Sequence, residues 1–152
     1  MLTKKLLGIC IVMTLSKILA AQTIVGAWKT MSNVVVNTDD AKKDLTALQF
    51  KQWPCMANLQ TIFEANGKQY VKSEKKCGPV DYSQFPTSTW KMNGNTISIT
   101  NTGIPTPLGN TAVYQVAFSG KTAVFTHVYT PEEQLKLHNS KVKEIVITYQ
   151  RL

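Results

Sequence analysis

Ser88-Thr89-Trp90-Lys91-Met92-Asn93-Gly94-Asn95-Thr96-Ile97-Ser98-Ile99-Thr100 reads as two short strands joined by a tight turn. Large apolar side chains alternate with polar ones on both sides of Asn93-Gly94, a pairing of turn and alternation that signals a β-hairpin. A two-residue Asn93-Gly94 loop pairs Trp90 with Ile97 and Ser88 with Ile99. Side chains in a strand point alternately to opposite faces, so Trp90, Met92, Ile97 and Ile99 share one face.

The same pattern recurs in both directions along the chain. Downstream, a Ser119-Gly120 turn pairs Tyr114 with Phe125 and Ala112 with His127. It gathers Ala112, Tyr114, Val116, Phe118, Phe125, His127 and Tyr129 on one face. Upstream, Ala65-Asn66-Gly67 reads as a three-residue loop with Gly67 in the left-handed position, which sets Glu64 opposite Lys68. Longer connections run from Asn37 to Met56, Gly78 to Thr87, Asn101 to Gly109 and Thr130 to Val142. Antiparallel strands reverse at each step, so the tight turns fall at one end and the long connections at the other. This describes a cup with a closed base and a loop-rimmed mouth.

The expected strands are Val25 to Val36, Ala57 to Glu64, Lys68 to Lys75, Ser88 to Met92, Thr96 to Thr100, Thr111 to Phe118, Lys121 to Tyr129 and Lys143 to Leu152. About eight strands in hairpin order predict an all-β fold, an antiparallel up-and-down barrel that leaves no sheet edge exposed. A two-sheet sandwich of the same strands is the alternative. One helix is expected, between the last two strands. Thr130-Pro131-Glu132-Glu133 offers a capping Thr, a Pro at the first helical position and a Glu three residues after the cap. It would lie over the mouth, as a cover for the core or as a lid. In the last strand Ile145, Ile147, Tyr149 and Arg151 share the inward face.

Residues 1–21 are set apart from this pattern. A basic start (Lys4, Lys5), an apolar run from Leu6 to Leu15 and small residues at Ala20-Ala21 form the three-part layout of a secretory signal peptide. The run is too short to span a membrane. Cys10 follows Ile9 inside the run and is not placed as a lipid-anchored cysteine would be. The domain is expected over residues 22–152, exported to the periplasm or secreted. The 152-residue chain has 17 Lys and Arg against 9 Asp and Glu, a formal charge of +8. Removing residues 1–21 takes away Lys4, Lys5 and Lys17, leaving 14 basic residues against 9 acids and a formal charge of +5. That excess is scattered, with no basic stripe interleaved with aromatics, so nucleic acid is not an expected partner.

Two cysteines remain after that removal, Cys55 and Cys77. An even count in an exported chain reads as a disulfide. The hairpin register agrees, because residue numbers facing each other across Ala65-Asn66-Gly67 sum to the same value for Glu64–Lys68 and for Cys55–Cys77. Two free thiols are the alternative.

Ile24-Val25-Gly26-Ala27-Trp28-Lys29 opens the first strand with a Gly-x-Trp. With the strand order and Arg151 near the chain's end, it resembles the lipocalin group, in particular small bacterial lipocalin-like domains. The resemblance covers essentially all of residues 22–152. It implies that Trp28, flanked by Gly26, plugs the closed end and that Arg151 packs across the indole, a cation–π contact of roughly 0.5–2 kcal/mol. The family's Thr-Asp pair in a closed-end loop has no counterpart, because Thr38-Asp39 falls in a mouth-side connection. No ligand residue transfers by motif.

The chain lacks the parts of an enzyme. His127 and His138 are its only histidines. Both remaining cysteines are committed, no Ser sits in a nucleophile elbow, and Glu132-Glu133 serves a helix start. Neither a metal site nor a cofactor is expected. The function expected is the binding of a small hydrophobic or amphipathic molecule through the mouth. The alternative is a protein-interaction or inhibitor module that uses the mouth loops over a filled core. Strand direction nominates Trp90, Ile99, Tyr114, His127, Tyr129 and Ile145 as inward residues near the mouth. They combine apolar walls with polar tips, or they simply form the upper core. Neither the ligand nor the oligomeric state can be read from the residues.

Cleavage near Ala21-Gln22 is the expected fate of the leader. Intact-mass analysis of exported protein should show a chain beginning close to Gln22, and retention of Met1 would refute that reading.

Overall fold

In the computed structural model, residues 23–73, 76–78, 81, 87–102 and 106–152 are described. The expected signal segment and Lys75, the expected end of the third strand, lie outside them. The strands are β1 (Gly26–Asn37), β2 (Lys42–Asp44), β3 (Gln60–Phe63), β4 (Lys68–Lys72), β5 (Ser88–Asn93), β6 (Thr96–Thr100), β7 (Thr111–Ser119), β8 (Thr122–Val128) and β9 (Val142–Arg151). Helix α1 (Leu45–Gln52) and a 3-10 turn (Pro54–Asn58) precede β3, and helix α2 (Pro131–Lys136) joins β8 to β9. From β3 to β9 each strand pairs antiparallel with the next, and β9 returns to pair with β1. That last ladder closes an eight-stranded barrel and removes the sandwich alternative. β2 is a short addition on the free upper edge of β1, with Val34 opposite Asp44 and Val36 opposite Lys42.

Two hairpin registers differ from expectation by two residues. Trp90 faces Ile99, and Met92 faces Ile97. Val116 faces Phe125, and Phe118 faces Ala123. The loops are therefore Gly94-Asn95 and Gly120-Lys121. Gly94 (φ 59°) and Gly120 (φ 57°) take the first loop position, while Asn95 and Lys121 keep negative φ. A left-handed first position is the placement that a type II′ turn assigns to glycine. A shift of two residues leaves every side chain on its expected face. The β3–β4 register is as expected, with Thr61 opposite Val71 and Phe63 opposite Gln69.

Cys55 and Cys77 are bonded, with Cα atoms 5.7 Å apart. Cys55 is not on a strand, however. The β3–β4 ladder stops at Gln60–Lys72, and Pro54 starts a 3-10 turn that carries Cys55 beyond it. The long connection expected from Asn37 to Met56 is also structured, holding β2 and α1. Asp44 caps α1, its Oδ1 accepting from the backbone N–H of Thr46 at 2.8 Å and of Ala47 at 3.3 Å. At α2 the expected capping box is present. The Thr130 hydroxyl accepts from the Glu133 N–H at 3.2 Å, and the Glu133 carboxylate accepts from the Thr130 N–H at 2.8 Å.

The core fills the closed end. Ile24, Trp28, Phe63, Ile97, Val116, Ala123 and Phe125 form one buried cluster, with Trp90, Met92, Phe118, Ile147 and Tyr149 packed against it. Trp28 is 1 % exposed, and its indole N–H donates to the Ile24 carbonyl at 2.6 Å. The Arg151 guanidinium lies 4.7 Å from the Trp28 ring centroid and donates to the Thr23 carbonyl. Gly26 lies beneath it, since a Cβ there would stand 3.8 Å from Arg151 Nη1.

Trp28→Ala should destabilise the fold by about 3–5 kcal/mol in chemical denaturation, the usual cost of deleting a buried aromatic. Arg151→Ala should cost less, because much of its contribution is packing of its stem. A larger loss in Arg151→Ala than in Trp28→Ala would show that the arginine, not the indole, carries the closed end.

Candidate functional site

Tyr114, His127 and Tyr129 come together at the mouth. Alternation along β7 and β8 turns Tyr114 and His127 inward, and Tyr129 follows where the chain leaves β8 for α2. The His127 ring lies 5.8 Å from that of Tyr114 and 4.6 Å from that of Tyr129, both edge-on. With Leu108 and Ala112 on one side and Glu133 and Leu137 of the α2 segment on the other, they line a cavity of about 230 Å³. His127 Nδ1 is 2.7 Å from the Val113 carbonyl oxygen. Its Nε2 stands 3.3 Å from Glu133 Oε1, a contact that is an ion pair when the imidazole is protonated.

The other three nominated residues do not line this cavity. Trp90 sits at the opposite end. Its indole N–H is shared between the Glu64 carbonyl at 3.1 Å and the Lys68 carbonyl at 3.0 Å, which flank the β3–β4 turn. Its ring meets Phe63 edge-on at 5.9 Å. The cause is barrel stagger. β4 and β5 pair only through Lys68–Thr89 and Gln69–Ser88, so β5 begins level with a tight turn at the base. Strand direction orders residues along one strand but does not fix the height of neighbouring strands. Ile99, opposite Trp90, packs on the core cluster. Ile145 faces His127 across the β8–β9 ladder but stays out of the cavity lining. His138 is exposed.

Sequence reasoning missed a second cavity, because it missed α1. This cavity of about 240 Å³ lies beneath the helix. Thr30 and Asn33 of β1 line it, with Thr46, Gln49 and Phe50 of α1, Met56 of the 3-10 turn, Leu59, residues of β3 and β4, and Ile147 and Tyr149 of β9. Asn33 arrives there through a β-bulge. The β1–β9 register slips between Thr30 and Ser32, which places Asn33 opposite Ile147. Asp44 followed by good helix formers and ended by Pro54 was the available signal for the helix. Phe125 touches both Tyr114, at 5.9 Å between ring centroids, and Tyr149, at 5.1 Å. The two cavities therefore flank one buried ring and share no lining residue.

Residues 12–138 match a protein family described as a domain of unknown function, DUF5004. The chain belongs to that family. No curated protein and no solved structure gives a significant match to it. In this DUF5004 domain no described helix is long and apolar enough to cross a membrane.

Burial shapes the ionisation of the barrel tyrosines. Burial raises the Tyr149 phenol well above its ordinary 10.0, with the charge of Tyr114 adding to the shift and the neighbouring Thr61 and Thr30 hydroxyls opposing it. Tyr114 is raised by burial and by Tyr129, and Tyr129 by burial and by Glu133. A raised folded pKa means that the folded state keeps its proton while the unfolded chain releases it. Stability from this source is thus complete below about pH 10 and is lost as pH rises above that value. Denaturation midpoints measured on the alkaline side should fall from about pH 10 upward. The tyrosinate absorbance of the folded protein should rise in two stages, with Tyr149 among the last to ionise. A single transition at the ordinary value would show that these rings are wet.

Proposed function

We propose that this domain is an exported, lipocalin-like barrel that binds a small apolar or amphipathic molecule at its mouth. The observation that carries the reading is the convergence of Tyr114, His127 and Tyr129 on one cavity between α2 and the β6–β7 connection. Apolar walls from Leu108, Ala112 and Leu137 with a few polar tips are the usual composition of a small-molecule site. At about 230 Å³ the cavity is smaller than the ~300–1,000 Å³ typical of drug-sized ligands, so the ligand is small. The disulfide fits an oxidising, exported setting. Trp28 under Arg151 is the contact that the lipocalin resemblance implies. The role is binding rather than catalysis, because both domain cysteines are bonded and His127 is engaged by a backbone carbonyl and Glu133.

A second reading, contact with another protein through the mouth, draws on Leu48 and Leu135. They are 55 % and 74 % exposed, one on each mouth helix.

Titration with a hydrophobic fluorescent probe separates the two. Saturable binding to the wild type is expected. Tyr114→Ala should weaken it by about tenfold or more, equivalent to ~1.4 kcal/mol or more, and Tyr129→Phe by less. Binding unchanged in both variants would put the probe elsewhere, and no saturable binding would favour the interaction module.

A further inference from the structure

We infer that the cavity beneath α1 is a second binding site, one that takes an uncharged molecule with an apolar body and a hydroxyl or amide head. The inference does not depend on the mouth cavity, from which Phe125 separates it.

Two unpaired polar atoms on residues of its lining point to a ligand. Asn33 Oδ1 and Thr46 Oγ1 are buried without a hydrogen-bond partner in the protein, and Thr46 as a whole is 3 % exposed. A buried polar group left unpaired costs stability that an apolar group of the same shape would not. Local structure fixes where both residues sit. Without the extra residue in β1, Ser32 would stand opposite Ile147, and the bulge puts Asn33 there instead. Bulges of this kind recur where a side chain is re-aimed beside a functional site. Thr46 is held by the Asp44 cap on its own N–H, and the Cys55–Cys77 bond anchors the segment that follows α1.

The rest of the lining defines the ligand. Phe50, Met56, Leu59, Val71 and Ile147 provide an apolar wall, and no lining residue carries a charge. A charged head would lose its hydration with no counterion to replace it. The α1 N-terminus does not offer an anion site either. Two of its N–H groups are already taken by the Asp44 carboxylate, whose own charge repels a second anion. At about 240 Å³ the cavity holds several times the ~30 Å³ that one liquid water occupies. An apolar body therefore suits its walls better than water does, while the head pairs with Asn33 and Thr46 as their side chains turn toward it.

Calorimetric titration of the exported protein with 1-octanol, octanamide and octanoate at neutral pH tests this. The alcohol and the amide should bind saturably, and octanoate at least about tenfold more weakly. Thr46→Val should weaken the alcohol by about tenfold while leaving the melting temperature equal or higher, because it removes an unpaired hydroxyl. Tyr114→Ala should leave the alcohol unaffected. Octanoate binding as tightly as octanol would overturn the selection for a neutral ligand. A lowered melting temperature in Thr46→Val, or unchanged octanol affinity, would assign the hydroxyl a structural role and overturn the site. Octanol binding lost only in Tyr114→Ala would place the probe in the mouth cavity, sinking this inference and leaving the mouth reading intact. Absence of binding by all three probes would overturn the second site, and the fluorescent-probe titration would still decide the first.

Discussion

A strand has two edges, and β1 commits one of them to β9 from Trp28 to Asn37. It divides the other between β3 below and β2 above. The β1–β9 ladder is the constraint on which the rest depends. It joins the first strand to the last, and without it the remaining strands form an open meander with two exposed edges, the usual template for aggregation. It is also the pairing of greatest sequence separation, so its loop-closure entropy must be overcome before any gain is realised. The Trp28–Arg151 contact sits at the lower end of this ladder, and the rung itself pairs those residues. The cation–π contact and the indole bond to Ile24 therefore reinforce the closure, and they do so where both strands run out.

How far the fold was legible follows from what alternation encodes. It encodes parity, so the inward faces of β5 to β9 are right even where the turns sit one position later than expected. It does not encode shear, so Trp90 lies at the base rather than the rim. The disulfide is legible through cysteine count alone; the register argument for it fails, because Cys55 lies beyond the ladder. Helix α1 gave only a faint signal, for a physical reason. It has eight residues, only Thr46 of them buried, and so it shows no apolar stripe. Its cap is a lone Asp44 without the reciprocal glutamate that announced α2. The site inherits these differences. Tyr114, His127 and Tyr129 follow from parity and direction, whereas Asn33 requires knowledge of a bulge that no residue type signals.

The interior is neither an open calyx nor a solid core. Phe125, buried beside Tyr114 and Tyr149, divides the upper barrel into two chambers of similar size and opposite character. The mouth chamber includes the polar, ionisable side chains of Glu133 and His127. The chamber beneath α1 is lined by amides, hydroxyls and apolar groups alone. Two compartments with different electrostatics would select different molecules even at equal volume, because charge discriminates more sharply than size.

The placement of strain follows the same division. Stabilising contacts concentrate at the base, where Trp28, Phe63 and Ile97 are sealed and the Trp28 indole is paired with a carbonyl. The unpaired polar atoms Asn33 Oδ1 and Thr46 Oγ1 lie toward the mouth. A fold that gathers its surplus at one end can tolerate unsatisfied groups at the other, and departures from local consistency tend to mark functional positions. The disulfide extends this logic upward. By fixing the segment after α1 against the chain beyond β4, it holds a helix that buries almost nothing of its own over a chamber it must cover. The helix is thus tied by Asp44 at one end and by Cys55 beyond the other, and between them it carries Phe50 in the chamber wall. These ties leave its inner surface free to carry Thr46 instead of another leucine.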